Sequence, residues 1–420
     1  MAKYLKLFEQ YTQYETYING QNAIKPNVSY CEDVGGVYYN PFVAPMNIIT
    51  YEATSKLVET TSDKNNGLHT NAFNCAIVSH TFENGVGTVE FESDVTSIGN
   101  YAFYGCSGLT SIDIPSDVTE IGSQAFYNCS GLTSIDIPSG VTSIGSSAFS
   151  GCTGLTSIDI PSSVTSIGNN AFQGCINIEI LNYDAQVRLS SSFKGWGTAL
   201  KTVVIGDSTP SIGTNAFSGC DGLTSVTIGN GVTFIDSNAF YNCSGLTSIN
   251  IPNSVNHIFE QVFFNCTSLS TITIPNSVMY IGKQAFENTL WFNSQPNGVV
   301  YINSIAYKYK GAMPSQTSIE IPSGVTRIND LCFSDCENLS SITIPSSVTS
   351  IGDLAFAGCT NLGTITSFAI TAPTIIPNNF DTGNGTFIGM YSGTLYVPIG
   401  SSGYDTWMNN LPSSWTKVEQ

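Results

Sequence analysis

From Leu109 onward, apolar residues return at fixed places in a 23-residue unit, L-T-S-I-x-I-P-S-x-V-T-S-I-G-x-x-A-F-x-x-C-x-G. Counting Leu109 as position 1, the β-branched alternation of "SIDI" predicts a short strand. Ile112 and Ile114 turn inward and Ser111 and Asp113 outward. Pro115 has no N–H to donate and closes that strand. Val118 and Ile121 begin a second inward ridge, and Ala125-Phe126 predicts a short helical or 3-10 turn leading to Cys129. One unit has too few apolar residues to bury anything alone, so units must stack. The expected architecture is a β-dominant, right-handed repeat solenoid with a parallel sheet on one face and about eleven rungs.

The register is carried by the Ala-Phe pair, at Phe103, Phe126, Phe149, Phe172, Phe217, Phe240, Phe263, Phe286 and Phe356. Val262-Phe263 and Cys332-Phe333 are variants of it. The step of 45 from Phe172 to Phe217 fits a degenerate rung at 176–200, near Phe193. The step of 47 from Phe286 to Phe333 fits a unit carrying an insertion at 287–314. The expected organisation is a small Tyr-rich module at 1–50, a cap or transition at 51–94, the solenoid at 95–365 and a C-terminal cap at 366–420. "PNVSYCEDVGGVYYNP" (26–41) predicts two short strands around a Gly-Gly turn, and "TNAFNCAI" echoes the repeat out of register. Trp407 and Trp415 are expected to cover the last rung's apolar face.

The unit L-x-x-I-x-I-P-x-x-V-x-x-I-G-x-x-A-F-x-x-C resembles the BspA-like, Treponema-type leucine-rich repeat of bacterial surface proteins, over about residues 95 to 365. The 287–314 insertion and the closing "LYVPIGSSGYDTWMNNLP" (395–412) also resemble segments that accompany this family. The resemblance implies a leucine-rich-repeat solenoid and a role in adhesion or ligand binding rather than catalysis. It also implies secretion. The opening "MAKYLKLFEQYTQYETYING" lacks the apolar core of a signal peptide, which leaves a removed signal or another route of export.

Composition narrows the partners. The net charge is −18, from 31 acidic and 13 basic residues, and no Lys or Arg lies between Asn65 and Val187. A phosphate-binding surface needs clustered cations, so nucleic acid is excluded as the expected partner. No apolar run reaches the roughly 20 residues needed to span a bilayer, so membrane insertion is not expected.

Chemistry-bearing residues are few. Nine of the twelve Cys share one repeat position, three residues after the Phe, where a fixed period makes a ladder of buried thiols rather than a convergent metal site. Only His69, His80 and His257 are present, and no nucleophile elbow, P-loop or zinc-protease motif occurs. The protein is expected not to be an enzyme and to need no cofactor or metal. Asp113, Asp136 and Asp159 share an outward strand position on three consecutive rungs. Such stacked carboxylates repel mildly. They suggest either contact with a cation or basic partner, or a solvated acidic face.

The twelfth position reads Glu120, Ser143, Ser166, Ser211, Phe234, His257, Tyr280, Arg327 and Ser350 along the rungs. Three large rings in a column usually held by Ser predict an exposed aromatic stripe, and Phe259 replaces a Gly beside it. "VVYINSIAYKYK" predicts a hairpin turning at Asn303-Ser304, with Tyr307 and Tyr309 on one face and Lys308 and Lys310 on the other. The candidate ligand-contact residues are thus Phe234, His257, Phe259, Tyr280, Tyr307, Tyr309 and Arg327, unless the rings pack under the hairpin. The expectation is a noncatalytic binding or adhesion protein, extracellular, on a cell surface or on a virion, for a protein or carbohydrate partner. The alternative is a structural fibre or spacer of a phage virion or surface assembly, docked through residues 1–50.

Overall fold

A computed structural model describes residues 30–33, 36–39, 47–61, 66–189, 196–375 and 386–420. Most of the 1–50 module, and Phe193, therefore lie outside the described residues. Within 26–41, Tyr30–Asp33 and Gly36–Tyr39 pair antiparallel, with Asp33 opposite Gly36. The chain divides into two compact units, Met1–Val187 and Arg188–Gln420.

The first unit opens with an antiparallel sheet. Ile77–Glu83 pairs with Val86–Phe91, which pairs with Ile48–Ala53. The last of these also lies antiparallel against Leu109–Asp113, covering the edge of the first repeat strand. Ser157–Ile160 and Ile180–Tyr183 then pair in parallel, 23 residues apart. No ladder strand runs through residues 134–137, although Ile135 and Ile137 are buried and Asp136 is exposed as the alternation requires. Phe73, from the "TNAF" echo, packs on Phe103 and Phe91 with ring centroids 6.0 and 4.8 Å apart.

Each turn holds a second strand that the single-sheet expectation did not include. In the first unit Ser97–Ile98, Glu120–Ile121, Ser143–Ile144 and Ser166–Ile167 form a parallel ladder. In the second unit Ser211–Ile212, Phe234–Ile235, His257–Ile258 and Tyr280–Ile281 do the same. Arg327–Ile328, Ser350–Ile351 and Thr374–Ile375 follow in a further ladder. The first strands of that unit pair in parallel too, Thr202–Ile205 with Ser225–Ile228 and Ser248–Asn250 with Thr271–Thr273, and a last ladder runs from Thr317–Glu320 through Leu339–Ile344, Thr364–Ser367 and Gly393–Val397 to Trp415–Glu419, past residue 365. The protein is a β-solenoid of about 13 turns rather than eleven.

The Ala-Phe segment is not helical. Among the described residues only Leu290–Ser294 and Tyr404–Asn410 are α-helices. The turns are broken twice by left-handed residues, at Gln124 (φ 56°) and Asn128 (φ 56°) in the unit that begins at Leu109. The second of these positions is Gly, Asn or Asp along the rungs, for instance Gly151, Asn242, Asn265 and Asp335, the residue types that visit this region at least cost. A helix cannot pass through either point.

The core is a stack of identical side chains. Phe103, Phe126, Phe149 and Phe172 follow one another with centroids 5.2 Å apart and nearly parallel planes. Phe217, Phe240, Phe263 and Phe286 repeat this in the second unit at 5.4, 5.4 and 5.7 Å. The cysteines behave as the ladder reading requires. The Cys129, Cys152 and Cys175 thiols donate to the Phe103, Phe126 and Phe149 carbonyls at 3.0–3.1 Å. Burial pushes the Cys106, Cys220 and Cys359 thiols up to about 12. At the end of the second unit Trp407, fully buried on the helix Tyr404–Asn410, packs on Phe387, which stacks on Phe356.

Two outcomes follow. Phe149→Ala removes a ring packed on both faces and is expected to cost about 3–5 kcal/mol in urea unfolding. Mass spectrometry after maleimide treatment at neutral pH should find Cys129, Cys152 and Cys175 unmodified in the folded protein and modified in denaturant.

Candidate binding surface

The second ladder of each turn sets the twelfth position. Its two-residue strands place the inward Ile of position 13 in the core and hold position 12 in register with the rungs on either side. In the second unit Phe234 pairs with His257 and His257 with Tyr280. All three rings are partly exposed, as is Phe259. Phe259 binds the column laterally, with centroids 6.1 Å from Phe234, 5.9 Å from His257 and 5.7 Å from Tyr280. The His257 and Tyr280 rings are 5.8 Å apart. The structure thus brings the predicted stripe together as one half-exposed cluster.

Position 14 shows why these rungs differ. A Cβ added to Gly145 would lie 2.4 Å from the Ser123 amide nitrogen, and one on Gly282 2.4 Å from that of Glu260. Backbones there approach too closely for a side chain. Beside Phe234 and His257 the chain instead holds Asp236 and Phe259, whose amides reach the preceding rung at 2.9 Å, against 2.7 Å at Gly145 and at Gly282, which the Tyr280 rung keeps.

Each end of the column carries an arginine. The Arg188 guanidinium lies 5.9 Å from the Phe234 ring centroid, pairs with Asp236 and donates to Thr214 Oγ1 at 3.2 Å. The Arg327 guanidinium lies 5.0 Å over the Tyr280 ring. Its Nη2 donates to Asp330 Oδ1 at 2.9 Å and its Nε to Asn329 Oδ1 at 3.3 Å. The Tyr280 hydroxyl donates to Asp330 Oδ2 at 3.3 Å. Burial, reinforced by the Asp330 carboxylate, pushes that hydroxyl up to about 12.

Three of the predicted contact residues are placed otherwise. Arg327 is buried and acts as a support beneath Tyr280, its charge committed to Asp330. Tyr307 is also buried, because its strand is itself a turn of the solenoid. Gly298–Ile302 and Ile305–Lys310 form the expected hairpin at Asn303-Ser304, but the second strand also pairs in parallel with Arg327–Ile328. The Phe286 amide, whose counterpart on Phe263 donates to the Ala285 carbonyl of the next rung, here donates to the Tyr307 hydroxyl at 3.1 Å. That hydroxyl donates to Glu287 Oε2 at 2.6 Å, and Lys308 Nζ holds Glu287 Oε1 at 2.8 Å. Tyr309 is half-buried against the core of the following rungs and does not join the ring cluster.

The acidic stripe is exposed but partly engaged. Asp113 Oδ2 accepts from Thr50 Oγ1 and Asp159 Oδ1 from Asn182 Nδ2, both at 2.6 Å. Among the described residues no group of three or more His, Cys, Asp or Glu is placed to hold a metal ion.

One feature of the first unit was invisible in the repeat. A shallow depression of about 640 Å³ is walled by Phe73, Cys75, Ile77 and the edge of His80. His80 Nδ1 meets Glu59 Oε1 at 2.8 Å and Nε2 meets the Tyr51 hydroxyl at 2.7 Å. The Glu59 carboxylate can only accept, so His80 Nδ1–H donates to it and Nε2 of the same tautomer accepts from the Tyr51 hydroxyl, which itself accepts from the Leu57 amide. Both imidazole nitrogens are hydrogen-bonded within the protein, so the set ties the strands that carry Tyr51, Glu59 and His80 together as a strut. The only signal in the sequence was the scarcity of His.

With that geometry in view, the chain matches the family described as BspA type leucine rich repeat region, in six copies, over residues 75–195, 189–313 and 300–384. The chain belongs to this family. Solved structures similar to this BspA-type protein include a leucine-rich repeat protein from Bacteroides ovatus, 24% identical, covering 81% of this chain and 90% of that one, TM-score 0.37. A leucine rich cell surface protein from Faecalibacterium prausnitzii is 25% identical, covering 93% and 96%, TM-score 0.34. The pneumococcal vaccine antigen PcpA is 19% identical, covering 81% and 87%, TM-score 0.34. No curated protein matches the chain. Leucine-rich-repeat families are generally noncatalytic and commonly serve binding or adhesion. Among the described residues no helix is long and apolar enough to cross a membrane.

Two measurements check these placements. Tyr307→Phe leaves Glu287 and the Phe286 amide without their hydroxyl partner and should lower stability by about 1–3 kcal/mol in urea titrations. Burial lowers the His80 pKa below 6.5, its effect exceeding the opposing pull of Glu59. The unfolded chain therefore takes up this proton first as pH falls, so the strut's contribution is whole above about pH 6.5 and declines below it. The stability gap between wild type and His80→Gln should narrow from pH 7.5 to 5.5. A gap that widens would contradict the assignment.

Proposed function

We propose that this BspA-type protein is a noncatalytic binding or adhesion protein, working outside the cell or on its surface. It engages a protein or carbohydrate partner through the ring cluster Phe234, His257, Phe259 and Tyr280. The observation that carries this reading is the contrast along one column. Position 12 holds small polar side chains on Ser143, Ser166, Ser211 and Ser350, so the fold has no need of rings there. Three consecutive rings, half-exposed and braced by buried Arg327, are better accounted for by a partner than by packing. Repetition of similar contacts along neighbouring rungs favours avidity from individually weak contacts.

The test is the triple variant Phe234→Ser, His257→Ser, Tyr280→Ser, in which each ring becomes the residue other rungs hold. Binding of the labelled full chain to mucin-coated wells and to glycan and protein arrays should fall at least about tenfold, the loss of about 1.4 kcal/mol or more. The thermal transition should stay cooperative. Undiminished binding by the triple variant would remove the ring cluster from the binding surface.

A further inference from the structure

The ring cluster differs from the rest of the molecule in charge. The chain carries a net charge of −18, yet the ionised groups around the rings cancel in pairs. Arg188 is paired with Asp236 beside Phe234, and Arg327 with Asp330 beside Tyr280. Lys283 Nζ lies 3.6 Å from Glu260 Oε1, next in sequence to Phe259. Across these three pairs the formal charges cancel. An anionic ligand finds no uncommitted cation among these six groups, and a cationic ligand finds no uncommitted carboxylate. Binding either would require breaking an ion pair first.

What the patch offers instead is partly exposed aromatic rings and a ring nitrogen of His257. Asn256 Oδ1 lies 2.5 Å from His257 Nδ1, which leaves Nε2 as the ring nitrogen open to a ligand hydroxyl. The Glu260 and Lys283 side chains stand about half in solvent at the rim. Phe234, His257 and Tyr280 present a partly exposed ring three times in strict register, one per rung. A ligand that fits has a repeating unit, an apolar face for each ring and hydroxyls at its edge, without formal charge.

Resting on the binding reading above, we infer that the ring cluster takes a linear, uncharged polysaccharide, its sugar faces stacked along the column and its hydroxyls meeting His257 Nε2 and the rim. Charged polysaccharides and protein surfaces are the competing occupants.

Native affinity electrophoresis of the full chain separates them, using gels containing laminarin, mannan or hydroxyethylcellulose, with alginate and chitosan as charged counterparts. The inference expects retardation by at least one neutral polymer. That retardation should hold between about 50 and 500 mM salt, because no ionic contact is made across the interface. Tyr280→Ser and Phe234→Ser should each weaken it about tenfold, and Asp113→Ser, on the exposed stripe of the first unit, should leave it unchanged. Retardation confined to alginate or chitosan, and fading with salt, overturns the inference. So does a protein partner on the arrays whose binding is lost in the triple variant while every neutral gel leaves the chain unretarded; in both cases the wider binding reading stands. If no array component or gel responds to the triple variant, both fall together.

Discussion

Everything in this molecule depends on how closely one turn can approach the next. A single turn buries one Phe, one Cys and a few Ile, Val and Leu side chains, far too little to offset the entropy of ordering 23 residues. Stability comes only from the neighbouring turn, and the approach is close enough that an added Cβ at Gly145 would fall 2.4 Å from backbone. At that distance Phe126 and Phe149 stack at 5.2 Å and the Cys152 thiol reaches the Phe126 carbonyl at 3.0 Å. The threonines answer the same constraint from outside, as when Thr142 Oγ1 donates to the Thr119 carbonyl at 3.1 Å. Backbone, core and surface are therefore all locked to one spacing.

That lock separates the positions that build the fold from those free to vary. Position 13 is inward Ile on rung after rung, while position 12, one residue earlier on the same short strand, accepts Glu, Ser, Phe, His, Tyr or Arg without altering the ladder. The ladder therefore does not fix the side chain at this position, which is buried at Ser211 and Arg327 and partly exposed at Phe234, His257 and Tyr280. The rings at Phe234, His257 and Tyr280 consequently carry information of their own. On the Phe234 and His257 rungs Gly at position 14 also gives way, to Phe259, which packs on the rings, and to Asp236, which holds Arg188 beside Phe234.

How much of this was legible follows from the same separation. Period, strand positions, Phe spine and thiol ladder were readable because each rung repeats the same packing problem. The ring column was readable as a departure from the repeat. The second ladder was not, because two-residue strands leave no alternation to detect. The left-handed turns were half visible, in the Gly/Asn/Asp column that includes Asn128 and Gly151, and hidden at Gln124 and Leu354. Tyr307 was misplaced because "VVYINSIAYKYK" reads as an independent hairpin. Nothing in its local pattern shows that its second strand also serves as a turn, paired with Arg327–Ile328. The Glu59–His80–Tyr51 strut joins residues scattered over three non-repeated segments, and no single-sequence pattern gathers such a set.

The hairpin shows what the repeat does when a rung is missing. The turn after Phe286 lacks the Ala-Phe pair, so the Phe286 amide would face the core with no carbonyl to meet. A bare amide in that place costs about 1–3 kcal/mol. The Tyr307 hydroxyl reaches it instead, and Glu287 and Lys308 bind that hydroxyl's other side. The rings of Tyr307 and Trp291 also meet Phe286 edge-on at 5.7 and 5.4 Å, where the Phe stack ends. A buried tyrosine, a nearly buried glutamate and a lysine thus do together what one phenylalanine and one carbonyl do elsewhere. Arg327 lies on the next strand and braces Tyr280 on the rung before, so the irregular turn is bounded on both sides by residues of the ring cluster or its support. The hairpin turn and the aromatic column are thus joined by one side chain, because Arg327, paired to the hairpin's second strand, also covers the Tyr280 ring.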